Sequence, residues 1–168
     1  MKKTICLLVC LLASVTSVFA GTINVSGRAG MYGIPGSSST SLMYGLSADY
    51  ALSENLSVRG ALETTTYNTA AGSTTFTPVS VDLIYSQTIQ GMLRPYAGVG
   101  VSYNTWTMGG ASTTATGAQA EAGIRFDLGG FTAGIEYRYL MPDLKDSSKN
   151  SSAANAYATG SFSQSFNI

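Results

Sequence analysis

The chain of 168 residues contains no histidine, and its two cysteines, Cys6 and Cys10, both fall within the first ten positions. Without imidazole there is no His-based catalytic triad, and most zinc sites are excluded as well. Cysteine confined to one end leaves no disulfide framework for the rest. Charge is scarce, 11% of residues, about half the usual share. Nine basic residues balance nine acidic ones, so the chain lacks the basic face that displaces counterions from nucleic acid. Nucleic acid is therefore not an expected partner. Disorder is excluded too, because 45% of the residues are hydrophobic and no net charge holds the chain open. Beyond residue 20 no stretch reaches the roughly 18 consecutive apolar residues that a spanning helix needs. The length suits one domain.

The first twenty residues read as a secretory signal peptide: basic Lys2 and Lys3, an apolar stretch from Ile5 to Leu12, and a small residue, Ala20, before the expected cleavage point. Its removal takes both cysteines away. The expected mature chain, Gly21–Ile168, keeps seven basic and nine acidic residues and forms one barrel domain.

What the mature chain has in abundance is alternation. Ile23, Val25, Gly27, Ala29 and Met31 are separated by polar residues, and so are Leu42, Tyr44, Leu46, Ala48, Tyr50 and Leu52. The same period continues from Leu56, Val79, Pro95, Ala118, Phe131 and Ala156, making eight segments of about ten residues, the β signature. Four Gly/Ser/Thr-rich connections are read as long loops (33–40, 68–75, 107–116 and 142–153), and they alternate with short turns at 53–55, 88–93 and 129–130. Each connection fits an antiparallel hairpin. The expected fold is all-β, an eight-stranded antiparallel up-and-down barrel.

The face that carries the charges decides the solvent. Arg28, Asp49, Arg59, Glu63, Asp82, Glu121, Arg125, Asp127, Glu136 and Arg138 all fall on the parity opposite the apolar series, together with Gly45, Gly98, Gly100, Gly123 and Gly134. In a soluble barrel the apolar face would point inward. In a bilayer barrel it points to lipid, and the charges line the interior. Three features favour the bilayer. Ten residues at a tilt near 40° span about 25 Å of hydrocarbon. The connections are unequal in length on the two sides. Aromatics of the apolar parity gather near strand ends: Tyr50, Tyr85, Phe126, Phe131 and Phe166 by the short turns, Tyr103 and Tyr139 nearer the long loops. Eight strands leave an interior just wide enough for side chains. The charges are therefore expected to form a structural ion-pair network, filled further by Tyr67, Tyr96 and Tyr157, with a narrow polar path as the alternative. Trp106, the single tryptophan, is expected to cap the barrel mouth.

The stretches RPYAGVGVSYNT at 94–105 and AEAGIRFDLGGFTAGIEYRYL at 120–140 are strand–turn–strand patterns. In them the chain resembles the small eight-stranded bacterial outer-membrane barrels of the OmpA and OmpX type, over the whole of Gly21–Ile168. One departure is the end, Phe166-Asn167-Ile168, where such barrels finish in an aromatic residue; Phe166 shares the expected parity. The resemblance implies an integral outer-membrane protein with a structural or surface role and four exposed loops, or else a narrow porin-like channel for ions or small solutes. It implies export through the Sec pathway and insertion by the barrel-assembly machinery as a monomer. Membrane lipid is the expected partner, and lipopolysaccharide a further candidate. Barrels of this size that modify lipid do so with a histidine base, which this chain lacks, so no enzymatic activity, cofactor or metal is expected. Asp143 and Asp146 read as a solvated loop, and Gly98-x-Gly100 lies within a strand rather than before a helix.

Overall fold

The computed structural model describes residues 23–69, 72–89, 91–129 and 131–162. The signal segment, Phe166 and Ile168 lie outside them. Eight strands follow one another: β1 (Ile23–Gly33), β2 (Thr40–Ala51), β3 (Leu56–Thr69), β4 (Gly72–Ser86), β5 (Leu93–Met108), β6 (Ala111–Asp127), β7 (Phe131–Met141) and β8 (Ser151–Phe162). Each pairs antiparallel with its neighbour in sequence, and β8 returns to β1, so the barrel is closed. Closure leaves no sheet edge along the barrel wall.

The side chains are arranged inside out for a protein in water. Leu46, Val99 and Ile135 are 61%, 63% and 59% exposed, whereas Arg59 and Arg138 are 2% and 0% exposed. An apolar surface this continuous is stable only where hydrocarbon replaces water. No helix among the described residues is long and apolar enough to cross a membrane; the crossing elements are strands. Tyr85, Tyr103, Phe126, Phe131 and Tyr139 stand on the outer face, and Tyr50 is half-exposed beside them.

The connections differ from the sequence reading in an instructive way. Residues 34–39 and 142–150 do form loops. The expected long loops at 68–75 and 107–116 do not. There β3 and β4 continue to Thr69 and Gly72, and β5 and β6 meet at a two-residue turn, Gly109–Gly110. Composition misled because threonine, frequent in loops, is also a β-branched residue that suits strands. Its hydroxyls pair across the extension: Thr66 with Thr75 at 3.0 Å and Thr107 with Ser112 at 3.0 Å. Gly109 and Gly110 have φ of +57° and +86°, the left-handed pair that a type I′ hairpin requires. The turn at 88–93, read as short, is bridged internally by Ile89 and Leu93. The asymmetry of the barrel therefore comes less from loop length than from the overhang of β3–β6.

On that overhang the outward residues change from apolar to hydroxylic. One row runs Thr64, Thr77, Thr105, Thr114, and the next runs Thr66, Thr75, Thr107, Ser112. Leu62, Val79 and Tyr103 form the row beneath.

The Gly109–Gly110 turn makes a clean backbone test. A side chain at Gly110 meets no neighbouring atom within 4 Å, so Gly110→Val is expected to cost about 1–2 kcal/mol through φ alone. Gly60→Ala, equally open but not left-handed, should be neutral or slightly stabilising. Urea unfolding in lipid vesicles reads both.

Candidate functional site

Outside, strand parity supplies a lipid face. Inside, it delivers long charged side chains from six strands into one narrow lumen. Arg59 on β3 is the hub. Its Nε donates to Asp49 Oδ1 on β2 at 2.9 Å, and its Nη1 donates to Glu121 Oε1 on β6 at 3.0 Å and to Glu136 Oε2 on β7 at 2.7 Å. Glu136 also accepts from Arg28 Nη2 and, at 2.6 Å, from the Tyr96 hydroxyl. Glu63 is shared by Arg28, 3.5 Å from its Oε1, and Arg138, 2.5 Å from its Oε2. Arg125 lies 3.4 Å from Asp49, with its guanidinium 4.7 Å from the centre of the Tyr96 ring. Asp82 accepts from Ser80 and Gln119 at 2.9 and 2.5 Å. Glycines make the room: a Cβ on Gly123 would lie 2.6 Å from the Tyr96 ring, and one on Gly45 would lie 2.6 Å from the Glu63 backbone.

Of the ten inward charges read from the sequence, Arg28, Asp49, Arg59, Glu63, Asp82, Glu121, Glu136 and Arg138 are buried, and Arg125 is half-buried. Asp127 is the correction. It lies at the end of β6, exposed, where its carboxylate accepts from the Gly129 backbone N–H at 3.2 Å. Its parity is right, but the strand ends before the lumen begins. Tyr67 and Tyr96 are buried; the side chain of Tyr157 lies outside the described residues.

The sequence reading placed Tyr67 in the lumen and Trp106 at the barrel mouth, where the structure has them, but it missed the apolar layer that they belong to. Toward the loop end, the inward positions carry Tyr32, Met43, Tyr67, Phe76, Leu140 and Ala153, packed as one apolar cluster with Ile34 and Trp106 against it. Tyr32 sits between Tyr67 and Phe76 with ring centroids 5.9 and 5.3 Å apart, and Phe76 stacks on Trp106 at 5.2 Å. These residues follow the charges on the same parity, Leu140 after Arg138 and Tyr32 after Arg28. Reading the inward positions as a series of their own would have found them.

The loop at 142–150 fastens over this roof. Asn104 donates to the Pro142 carbonyl at 2.7 Å, and the Leu144 N–H reaches the Thr116 carbonyl at 3.1 Å. Lys149 Nζ donates to Asp143 at 2.9 Å, pairs with Asp146 at 3.6 Å, and stands 5.0 Å from the Trp106 ring centre. The hydrogen bond from Lys149 holds the Asp143 carboxyl below its usual range, and the bonds from Ser148 do the same for Asp146. The bond to Asp143 holds the Lys149 ammonium above its ordinary value.

Two outcomes follow. Arg59→Met should cost about 3–5 kcal/mol, because it strands buried carboxylates, whereas Asp127→Asn should stay within about 0.5 kcal/mol; urea unfolding in vesicles compares them. The loop clasp should persist at neutral pH. It should be lost as pH falls through the lowered Asp143 and Asp146 values, and again as pH rises through the raised Lys149 value. Emission from Trp106, the single tryptophan, should shift at both ends, and Lys149→Met should flatten the alkaline step.

The family model that matches this chain is the outer membrane protein beta-barrel domain, over residues 5–167. The chain is similar in fold to the N-terminal β-barrel domain of Pseudomonas aeruginosa OprF. The TM-score is 0.63 and the identity 21%, with 84% of this chain and 99% of that one covered. It is similar also to Neisserial surface protein A, with TM-score 0.63, 16% identity, and 86% and 98% covered. The outer membrane enzyme PagL shares the fold too, with TM-score 0.57, 11% identity, and 83% and 99% covered. No curated protein matches the chain. With its closed eight-stranded wall, lipid-type exterior and charged interior, the chain belongs to the outer-membrane β-barrel family of the bacterial envelope.

Proposed function

We propose that this protein is a closed, non-enzymatic barrel with a structural and surface role in the outer membrane. The observation that carries the reading is the double filling of the lumen. An Arg59-centred network occupies the middle, and the Tyr32–Phe76–Trp106 roof lies above it. A hydrated ion would have to break several charge-assisted hydrogen bonds and then part a packed apolar layer. Each step is costly in a space of low dielectric. The competing reading, a narrow channel for ions or small solutes, needs a continuous polar path, and the roof interrupts it.

Absence of catalysis rests on the donor set. The chain has no histidine, and the hydroxyls that face outward on the overhang pair with one another rather than with a base. Asp49, Glu63, Glu121 and Glu136 are engaged by arginines, and Asp82 by Ser80 and Gln119, so none of these carboxylates is held beside a base that could activate it. The protein is proposed to reach the membrane through Sec export with loss of residues 1–20, to be inserted by the barrel-assembly machinery, and to act as a monomer in contact with bilayer lipid.

Planar-bilayer recording of the purified protein tests the closed lumen. The native protein should give no stable unitary openings, and the double variant Phe76→Ala/Trp106→Ala should give brief flickers at most, because the ion network remains. Stable native currents that respond to substitutions at Arg59 or Glu136 would establish the channel instead.

A further inference from the structure

The hydroxyl rows on the outer face of β3–β6 are not needed by the lumen, and they stand where the membrane ends. From Leu56 to Thr64, and from Tyr85 to Thr77, is eight residues, which at the usual rise and tilt lifts the chain about 21 Å. In a band about 25 Å tall the lower row therefore lies just inside the top of the hydrocarbon, level with the residues above Tyr103, and the upper row of Thr66, Thr75, Thr107 and Ser112, two residues on, clears it. The upper row projects into the headgroup layer. In the outer leaflet of this membrane type that layer is built of sugars.

We propose that this wall is an interaction surface for the neutral saccharide portion of the surrounding outer-leaflet glycolipid. It rests on the outer-membrane placement of the chain and not on the closed lumen. Three features support a neutral sugar. The two rows contain no charged side chain, so they offer nothing to a phosphate, which is recognised by Arg and Lys. Their residues are exposed or half-exposed, and each threonine presents a methyl beside its hydroxyl, matching the mixed C–H and O–H character of a sugar ring. The hydroxyls are already ordered: Thr66 with Thr75, Thr107 with Ser112, and Thr64 with Thr77 at 3.3 Å. Each pair spends one hydrogen, leaving one donor and further lone pairs for another partner. A preorganised array binds with less loss of side-chain freedom than flexible polar groups would. The face is also continuous with the lipid band through Leu62, Val79 and Tyr103, so one glycolipid molecule can lay its acyl chains on the lower part and its sugars on the upper.

The test uses the native protein in vesicles containing either lipopolysaccharide with a complete core or a core-truncated form with the same phosphates and acyl chains. Unfolding in urea is followed by gel mobility. With the complete core, unfolding should be about tenfold slower, the effect of one or two net hydrogen bonds. The variant Thr66→Val/Thr75→Val/Thr107→Val keeps β-branching and shape. It should lose that difference while unfolding at the native rate in the truncated membrane, and the corresponding Thr→Ser variant should retain the difference. Equal native rates in the two membranes overturn the proposal whether or not the valine variant folds. So does a difference that survives in the valine variant, or one that is abolished by removing phosphates rather than sugars. Conductance is a separate readout, so an open lumen leaves this test untouched.

Discussion

The structure depends on one constraint: charges carried into a lumen walled off by lipid must be neutralised by one another. Arg59 shows how. It starts from β3 and reaches carboxylates on β2, β6 and β7, of which only β2 is its neighbour in the wall. Backbone hydrogen bonds hold adjacent strands together. The guanidinium holds opposite sides of the barrel at a fixed distance. Its delocalised fork suits this, because several donors can be satisfied from different directions. The inward glycines belong to the same design, since a barrel this narrow has space for either a Cβ or a long neighbouring side chain, but not both.

The network is expensive to desolvate and for that reason needs protection from partial hydration. The apolar roof supplies it. Tyr32, Phe76 and Leu140 replace the charges toward the loop end, and the 142–150 loop lies across Trp106. The lumen thus has a polar middle, an apolar cover and a charged clasp on top. This order favours a plug over a path, since a path would need water at every level. The second charge-bearing feature, Asp143–Lys149, sits half-exposed in a loop, so its weight lies in orienting the loop more than in stability.

Much of this was legible in the sequence because the signals are periodic. Alternation located all eight strands, and the parity of Arg28, Glu63, Glu136 and Arg138 placed them on the inward face. Two things were not legible. The first is where a strand ends: Thr107–Thr116 has the composition of a loop, and only its pairing across β5 and β6, from Tyr103 with Thr116 to Met108 with Ala111, a property of two segments together, shows it to be sheet. Asp127 fails for the mirror reason, since parity says which face a residue takes but not whether the strand still borders the lumen. The second is the roof beyond Tyr67 and Trp106, whose other residues share the apolar character of the outer face and so do not stand out by hydropathy. Which parity they occupy is the only mark that separates Phe76 from Val79.

The same wall, then, does different work at different heights with its pleat unchanged. Within the membrane the outer parity is Leu, Val and Tyr, and the inner is charge. Above it, on β3–β6, the outer parity is Thr and Ser, and the inner is aromatic. Polar and apolar surroundings thus exchange sides of the backbone with height, and the side chains exchange character with them. If the lumen is closed, what distinguishes this barrel from others of its size must lie beyond the hydrocarbon. Along β1, β2, β7 and β8 the strands stop soon after the bilayer does, with eleven or twelve residues each, while β3–β6 run on to fourteen to seventeen. Extending four paired strands into an aqueous layer orders backbone that a loop would leave free, at about 1–2 kcal/mol per residue. Pairing recovers part of that cost. The rest is the cost of holding an uncharged hydroxyl surface rigid above the hydrocarbon, which a flexible loop could not do.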